Sequence, residues 1–77
     1  MEIKILGTGC KNCKTLESIV RKVVEESNIN AEIIKVDNIE DIIEYDIIST
    51  PGLVVDEKVV VSGRVPSEQE IIEFLTN

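Results

Sequence analysis

The sequence predicts an α/β fold, a four-stranded mixed sheet with helices on both faces, and three observations lead there. The chain of 77 residues is 43% hydrophobic, yet Tyr45 and Phe74 are its only aromatic residues, so its core must come from Ile, Val and Leu. β-Branched side chains suit a pleated sheet with packed helices better than a pure bundle. Stretches with apolar residues three and four apart alternate with short apolar runs, as helices set between strands should. Near the end, two such runs flank a two-residue polar break and read as a hairpin. One domain, residues 1–77, accommodates the whole length.

Ile3 to Leu6 reads as the first strand. From Lys11 to about Glu26, the residues Cys13, Leu16, Ile19, Val20, Val23 and Val24 form one apolar helical stripe. Glu17, Arg21, Lys22, Glu25 and Glu26 fall on the other side, and Ser27-Asn28 ends the helix. Ala31 to Val36 reads as the second strand. Asp37 or Asn38 caps a short helix carrying Ile39, Ile42 and Ile43. At Thr50-Pro51-Gly52 the pattern breaks, because proline lacks an amide donor and biases Thr50 toward extended geometry. Leu53–Val55 and Lys58–Val61 then flank Asp56-Glu57 as the hairpin, and Gly63 marks a turn or bulge. Ser67-Glu68-Gln69-Glu70 fits a capping box ahead of Ile71, Ile72 and Leu75. Strands joined through helices are expected to pair parallel by right-handed crossovers, with the hairpin adding an antiparallel pair.

Fifteen acidic residues against eight basic ones give a formal net charge of −7. That balance argues against nucleic acid, which is bound largely through Lys and Arg on phosphates, and against an anionic membrane surface. No apolar run has the length of a spanning helix, and the N-terminus lacks a signal-peptide pattern. The expectation is a cytoplasmic protein acting as a monomer. In that compartment thiols start reduced, and a close cysteine pair is more often catalytic or metal-binding than structural.

Residues 7 to 14 read GTGCKNCK and hold the only two cysteines, Cys10 and Cys13. A disulfide between them closes a tiny loop and constrains the unfolded chain little, so it is no staple. A full zinc site wants four ligands, whereas this chain offers two Cys and no His. Two thiolates holding a cuprous ion form the rival reading, and inert packing a third. Cys10 falls just past the carboxyl end of the first strand, where sites gather in open α/β sheets. Unpaired amides at a helix start favour a thiolate there, and Lys11 and Lys14 add screened positive charge. Residues three apart share a helix face, so Cys13 can reach back to Cys10. Cys10, nearer solvent, is the expected attacking thiolate, and Cys13, at the head of the buried stripe, the resolving thiol. Such chemistry needs no cofactor.

A strand running into Cys10-Lys11-Asn12-Cys13, a Thr50-Pro51 before a hairpin, and a closing helix together resemble a minimal thioredoxin fold, βαβαββα. More narrowly, the chain resembles the small thioredoxin- or glutaredoxin-like redox proteins of archaea and bacteria, over essentially its whole length. The resemblance implies a protein thiol–disulfide oxidoreductase whose partners are protein disulfides and a reductase or other electron donor. It also implies a cis Thr50–Pro51 bond beside the disulfide, with Thr50, Pro51 and the Gly9 loop receiving the substrate. Four positions depart from the family. Lys11-Asn12 stand where thioredoxins carry Gly-Pro and many glutaredoxins Pro-Tyr, Gly9 stands where a tryptophan precedes the first cysteine, and Lys4 replaces a buried acid. Lys4 is expected to snorkel its ammonium outward in preference to lying near the dithiol. Tyr45 is expected to be a packed amphipathic side chain, and Gly7 and Gly9 to permit the strand-to-helix turn.

Overall fold

In a computed structural model that describes residues 1–47 and 49–76, the apolar runs and helical stripes become seven elements. They follow in the order β1 (Glu2–Leu6), α1 (Lys11–Glu26), β2 (Glu32–Val36), α2 (Ile39–Glu44), β3 (Gly52–Val55), β4 (Lys58–Ser62) and α3 (Glu68–Thr76). The sheet order is β2-β1-β3-β4, with β1 parallel to β2 and antiparallel to β3, and β3 antiparallel to β4. Four strands, mixed, with helices on both faces, are as the sequence predicts.

Alternation along β1 divides the core into two. Ile3 and Ile5 point to the face covered by α1 and α3, where Leu16, Val20 and Val23 meet Leu53, Ile71 and Leu75. Leu6 points to the other face and meets Ile42 of α2 and Val54. The stripe of α1 is buried at Cys13, Leu16, Val20 and Val23, four of the six positions that its spacing selects, while Ile19 and Val24 are half-buried against the same cluster. A buried Leu or Val contributes about 1.5–3 kcal/mol, so this one helix face supplies much of what holds so short a chain together.

The connection through α2 corrects one expectation. β2 and β3, joined by a helix, are not neighbours; β3 crosses to the far side of β1 and runs antiparallel to it. A six-residue helix spans about 9 Å, too little to carry the chain back along strands of about 16 Å. β3 therefore begins at the end of the sheet where β2 finishes.

Local chemistry sets the remaining boundaries. The Asn38 side chain accepts the Glu40 amide at 2.9 Å and caps α2. The Ser67 hydroxyl accepts the Glu70 amide at 3.2 Å while a Glu70 oxygen accepts the Ser67 amide at 3.1 Å, a reciprocal capping box. Asp56 and Glu57 form the hairpin turn with φ of 48° and 70°. The Asp56 amide donates to the Glu2 carbonyl and its carboxylate accepts the Glu2 amide, both at 2.8 Å, which ties the turn to β1. Of the turn or bulge expected at Gly63 the structure shows the turn, and a separate irregularity lies within the β3–β4 pairing, where Leu53 faces Val61 but Val54 faces Val59. Gly63 itself makes the turn after β4, with φ of 79° and its amide on the Pro51 carbonyl at 2.9 Å. At the opposite pole from the β1–α1 turn, the Met1 carbonyl accepts the Glu32 amide at 2.9 Å.

Candidate active site

The turn between β1 and α1 is four residues long, Gly7 to Cys10, and each glycine in it answers a different demand. Gly9 has φ of 88°, a left-handed conformation that disfavours any side chain. Gly7 is buried, its amide on the Val36 carbonyl at 3.0 Å, and a Cβ there would run into the Cys13 sulfur. The two glycines thus turn the chain tightly and leave room for the second cysteine.

Cys10 is the N-cap of α1, extended at φ −67° and ψ 166°, and its Sγ accepts the Cys13 amide at 3.2 Å. The sulfur occupies the place a serine or aspartate oxygen takes at an ordinary helix start. Cys10 is exposed, Cys13 is 5% exposed, and the two are joined as a disulfide with Cα atoms 5.0 Å apart. Lys11 and Lys14 are exposed beside the pair. A small cavity of about 20 Å³ behind Cys13 is lined by Gly7, Gly9, Lys14, Glu17 and Lys35. The Glu17 carboxylate there is held below its ordinary pKa, first by the Arg21 guanidinium at 2.9 Å and then by Lys35 at 3.4 Å. Spacing alone gave no sign of this Glu17–Lys35 pair, because Lys35 comes from a different element.

Thr50 is exposed, Pro51 is fully buried, and the bond between them is cis. A trough of about 540 Å³ runs from Thr8 and Thr50 along α2, past Ile39, Ile43 and Ile47. The short helix was expected to carry three apolar residues, and it does, but only Ile42 is buried. Ile39 and Ile43 are 61% and 62% exposed. Their spacing of four was the one signal in the sequence that they share an edge.

Lys4 points away from this chemistry. It shares a sheet face with Leu6, and its ammonium donates to the Tyr45 hydroxyl at 2.7 Å and to Glu57 at 2.8 Å, with Glu2 at 3.3 Å. Glu57 first, and then Tyr45, raise the Lys4 pKa, while Lys4 holds Glu57 below the ordinary carboxylate range. Lys4 thus snorkels outward, and Tyr45 is packed against the Leu6 cluster with its hydroxyl satisfied. Among the described residues no group of three or more Cys, His, Asp or Glu side chains is placed to hold a metal ion.

Comparison with known proteins agrees with this geometry. The thioredoxin domain family model matches residues 1–76. A thioredoxin of Methanothermobacter thermautotrophicus is 42% identical over 76 residues, covering 99% of each chain. A thioredoxin of Methanocaldococcus jannaschii is 44% identical over 73 residues, covering 95% of this chain and 84% of that one. In fold, the structure is similar to thioredoxin 1 of Thermosipho africanus, with a TM-score of 0.67 at 20% identity over 99% of this chain and 91% of that one. A cysteine pair capping the first helix of a βαβαββα fold, matched along nearly its full length, makes this chain a member of the thioredoxin domain family.

Proposed function

We propose that the chain is a protein thiol–disulfide oxidoreductase in which Cys10 attacks and Cys13 resolves. The observation that carries this reading is the pair itself, one sulfur exposed on the cap of α1 and the other buried three residues on, within bonding reach. In the reduced protein, the Cys13 amide that points at Cys10 Sγ, together with the other free amides of the first turn, favours the Cys10 thiolate. That thiolate attacks one sulfur of a substrate disulfide, forming a mixed disulfide and releasing the first substrate thiolate. Cys13, deprotonated, then attacks Cys10 Sγ, closing the Cys10–Cys13 disulfide and releasing the second. Two electrons pass to the substrate, whose thiolates take up two protons. A reductase or other dithiol donor restores the pair, and no cofactor enters the exchange.

In this reading substrate docks over Thr50, Pro51 and the Gly9 turn; in support, Gly9 adjoins Cys10 in the chain and Thr50 lines one trough with Thr8, two residues before Cys10. Residues 1–77 act as one domain, as a monomer and in the cytoplasm, where a cysteine pair of this kind stays reducible. Among the described residues no helix is long and apolar enough to cross a membrane.

The test is an insulin-type disulfide reduction assay beside a redox titration in glutathione buffers. Cys10→Ser is expected to abolish reduction while the circular dichroism melt still shows a folded protein. Cys13→Ser is expected to accumulate a mixed disulfide through Cys10. A Cys10–Cys13 couple that never cycles in glutathione or thioredoxin buffers would sink the reading.

A further inference from the structure

Residues 37–46 hold five of the fifteen carboxylates, Asp37, Glu40, Asp41, Glu44 and Asp46, and none of the eight basic residues. All five are exposed, and among the described residues none of them enters an ion pair. By contrast Glu2, Glu17, Glu26, Glu57, Glu68 and Glu70 all have cationic partners. The same ten residues present Ile39 and Ile43, which lie one helical turn apart at the mouth of the trough. This short segment therefore carries an aliphatic edge on the trough and five exposed carboxylates within the same ten residues. It opens onto Thr8, two residues before Cys10, and Thr50, next to Pro51.

We propose that this trough receives a lysine- or arginine-bearing aliphatic segment next to the disulfide of the partner protein. The proposal rests on the oxidoreductase reading above and names the substrate class of that site. Two apolar side chains exposed at one edge gain by being covered, which calls for an aliphatic occupant. Five uncompensated carboxylates on the same short segment select its charge. Single exposed pairs contribute little, but a one-signed segment makes a field that speeds the approach of an opposite charge and repels a like one. A second copy of this chain would bring a net charge of −7 against that acidic segment, and so is the wrong occupant.

The experiment compares the reduced protein's second-order exchange rates with two peptides sharing one internal disulfide and the same flanking leucines. One peptide carries lysines among the leucines and the other glutamates. A small neutral disulfide, hydroxyethyl disulfide, reports the dithiol chemistry by itself. The lysine peptide is expected to react about tenfold or more faster than the glutamate peptide at about 0.01 M salt, the gap closing at about 1 M. Glu40→Gln/Asp41→Asn/Glu44→Gln is expected to bring the ratio to within about twofold. Ile39→Ser/Ile43→Ser is expected to slow the lysine peptide by about tenfold. Equal rates for the two peptides at low salt, with the neutral disulfide still reduced, overturn the docking proposal and leave the oxidoreductase reading standing. Failure to reduce any of the three overturns that reading and this one together. A concentration-dependent dimer that Ile39→Ser/Ile43→Ser abolishes in sedimentation assigns the trough to a second copy, and overturns the proposal as well.

Discussion

The ammonium of Lys4 lies 2.7 Å from the Tyr45 hydroxyl, on the sheet face opposite the one that α1 covers. Lys4 stands six residues before Cys10, where thioredoxins carry an acid that assists the resolving thiol. Its outward course removes it from the dithiol. Lys4→Met is therefore expected to leave the thiolate absorbance titration of Cys10 where it was. A displaced midpoint would show that its charge is felt through the sheet.

Gly7 and Gly9 should fail in different ways. Gly7→Ala drives a methyl into the Cys13 sulfur and is expected to cost about 1–3 kcal/mol in urea unfolding of the oxidised protein. Gly9→Ala meets no neighbouring atom, and its cost, about 1–2 kcal/mol, comes from φ of 88° alone. Gly9→Asn, which tolerates left-handed geometry, should recover part of that loss, whereas Gly7→Asn should recover none.

Acid should expose the α3 cap. Glu70 is pulled down to about 2, first by the Arg64 guanidinium at 2.7 Å and then by the Ser67 amide. A carboxylate whose folded pKa lies below its unfolded one stabilises the protein above the unfolded value, and that share is lost as pH falls through the folded value. Between pH 4.5 and about 2 the urea midpoint of the wild type should therefore fall more than that of Glu70→Gln. Glu57 and Glu17, both lowered, titrate in the same direction in both proteins. Parallel curves for the two proteins would refute the assignment to Glu70.

Core and trough isoleucines and leucines should separate cleanly by stability. Leu16 is fully buried between α1 and the sheet, and Leu16→Ala is expected to cost about 2–5 kcal/mol. Ile39→Ala and Ile43→Ala, at 61% and 62% exposure, should stay within about 0.5 kcal/mol of the wild type. Thermal melts of the three variants check this. A large loss at Ile39 would mean that it anchors α2 and is not free to receive a partner.

What the sequence made legible is local. The Cys10 cap, the Ser67–Glu70 box, the Asn38 cap and the buried stripe of α1 each depend on residues within about three helical turns, and each stands where its spacing puts it. The family resemblance rested on the order of such short-range features along the chain, Thr50-Pro51 before the hairpin among them. What was not legible depends on distant parts of the chain. Lys4 finds its partners 41 and 53 residues away. The direction of β3 follows from how far α2 can carry the chain, and not from any signal in β3 itself. Ile39 and Ile43 read like core residues because periodicity marks an apolar stripe without saying how much of it another element covers.

The bond between the Met1 carbonyl and the Glu32 amide gives the molecule a working end and a quiet end. The strand that starts at that quiet end delivers its far terminus to Gly7 and the two sulfurs, a full strand length away. A fluorophore, bead or fusion partner attached ahead of Met1 should therefore leave electron exchange untouched. Immobilised that way, the molecule would present Cys10 and the acidic helix together to whatever flows past.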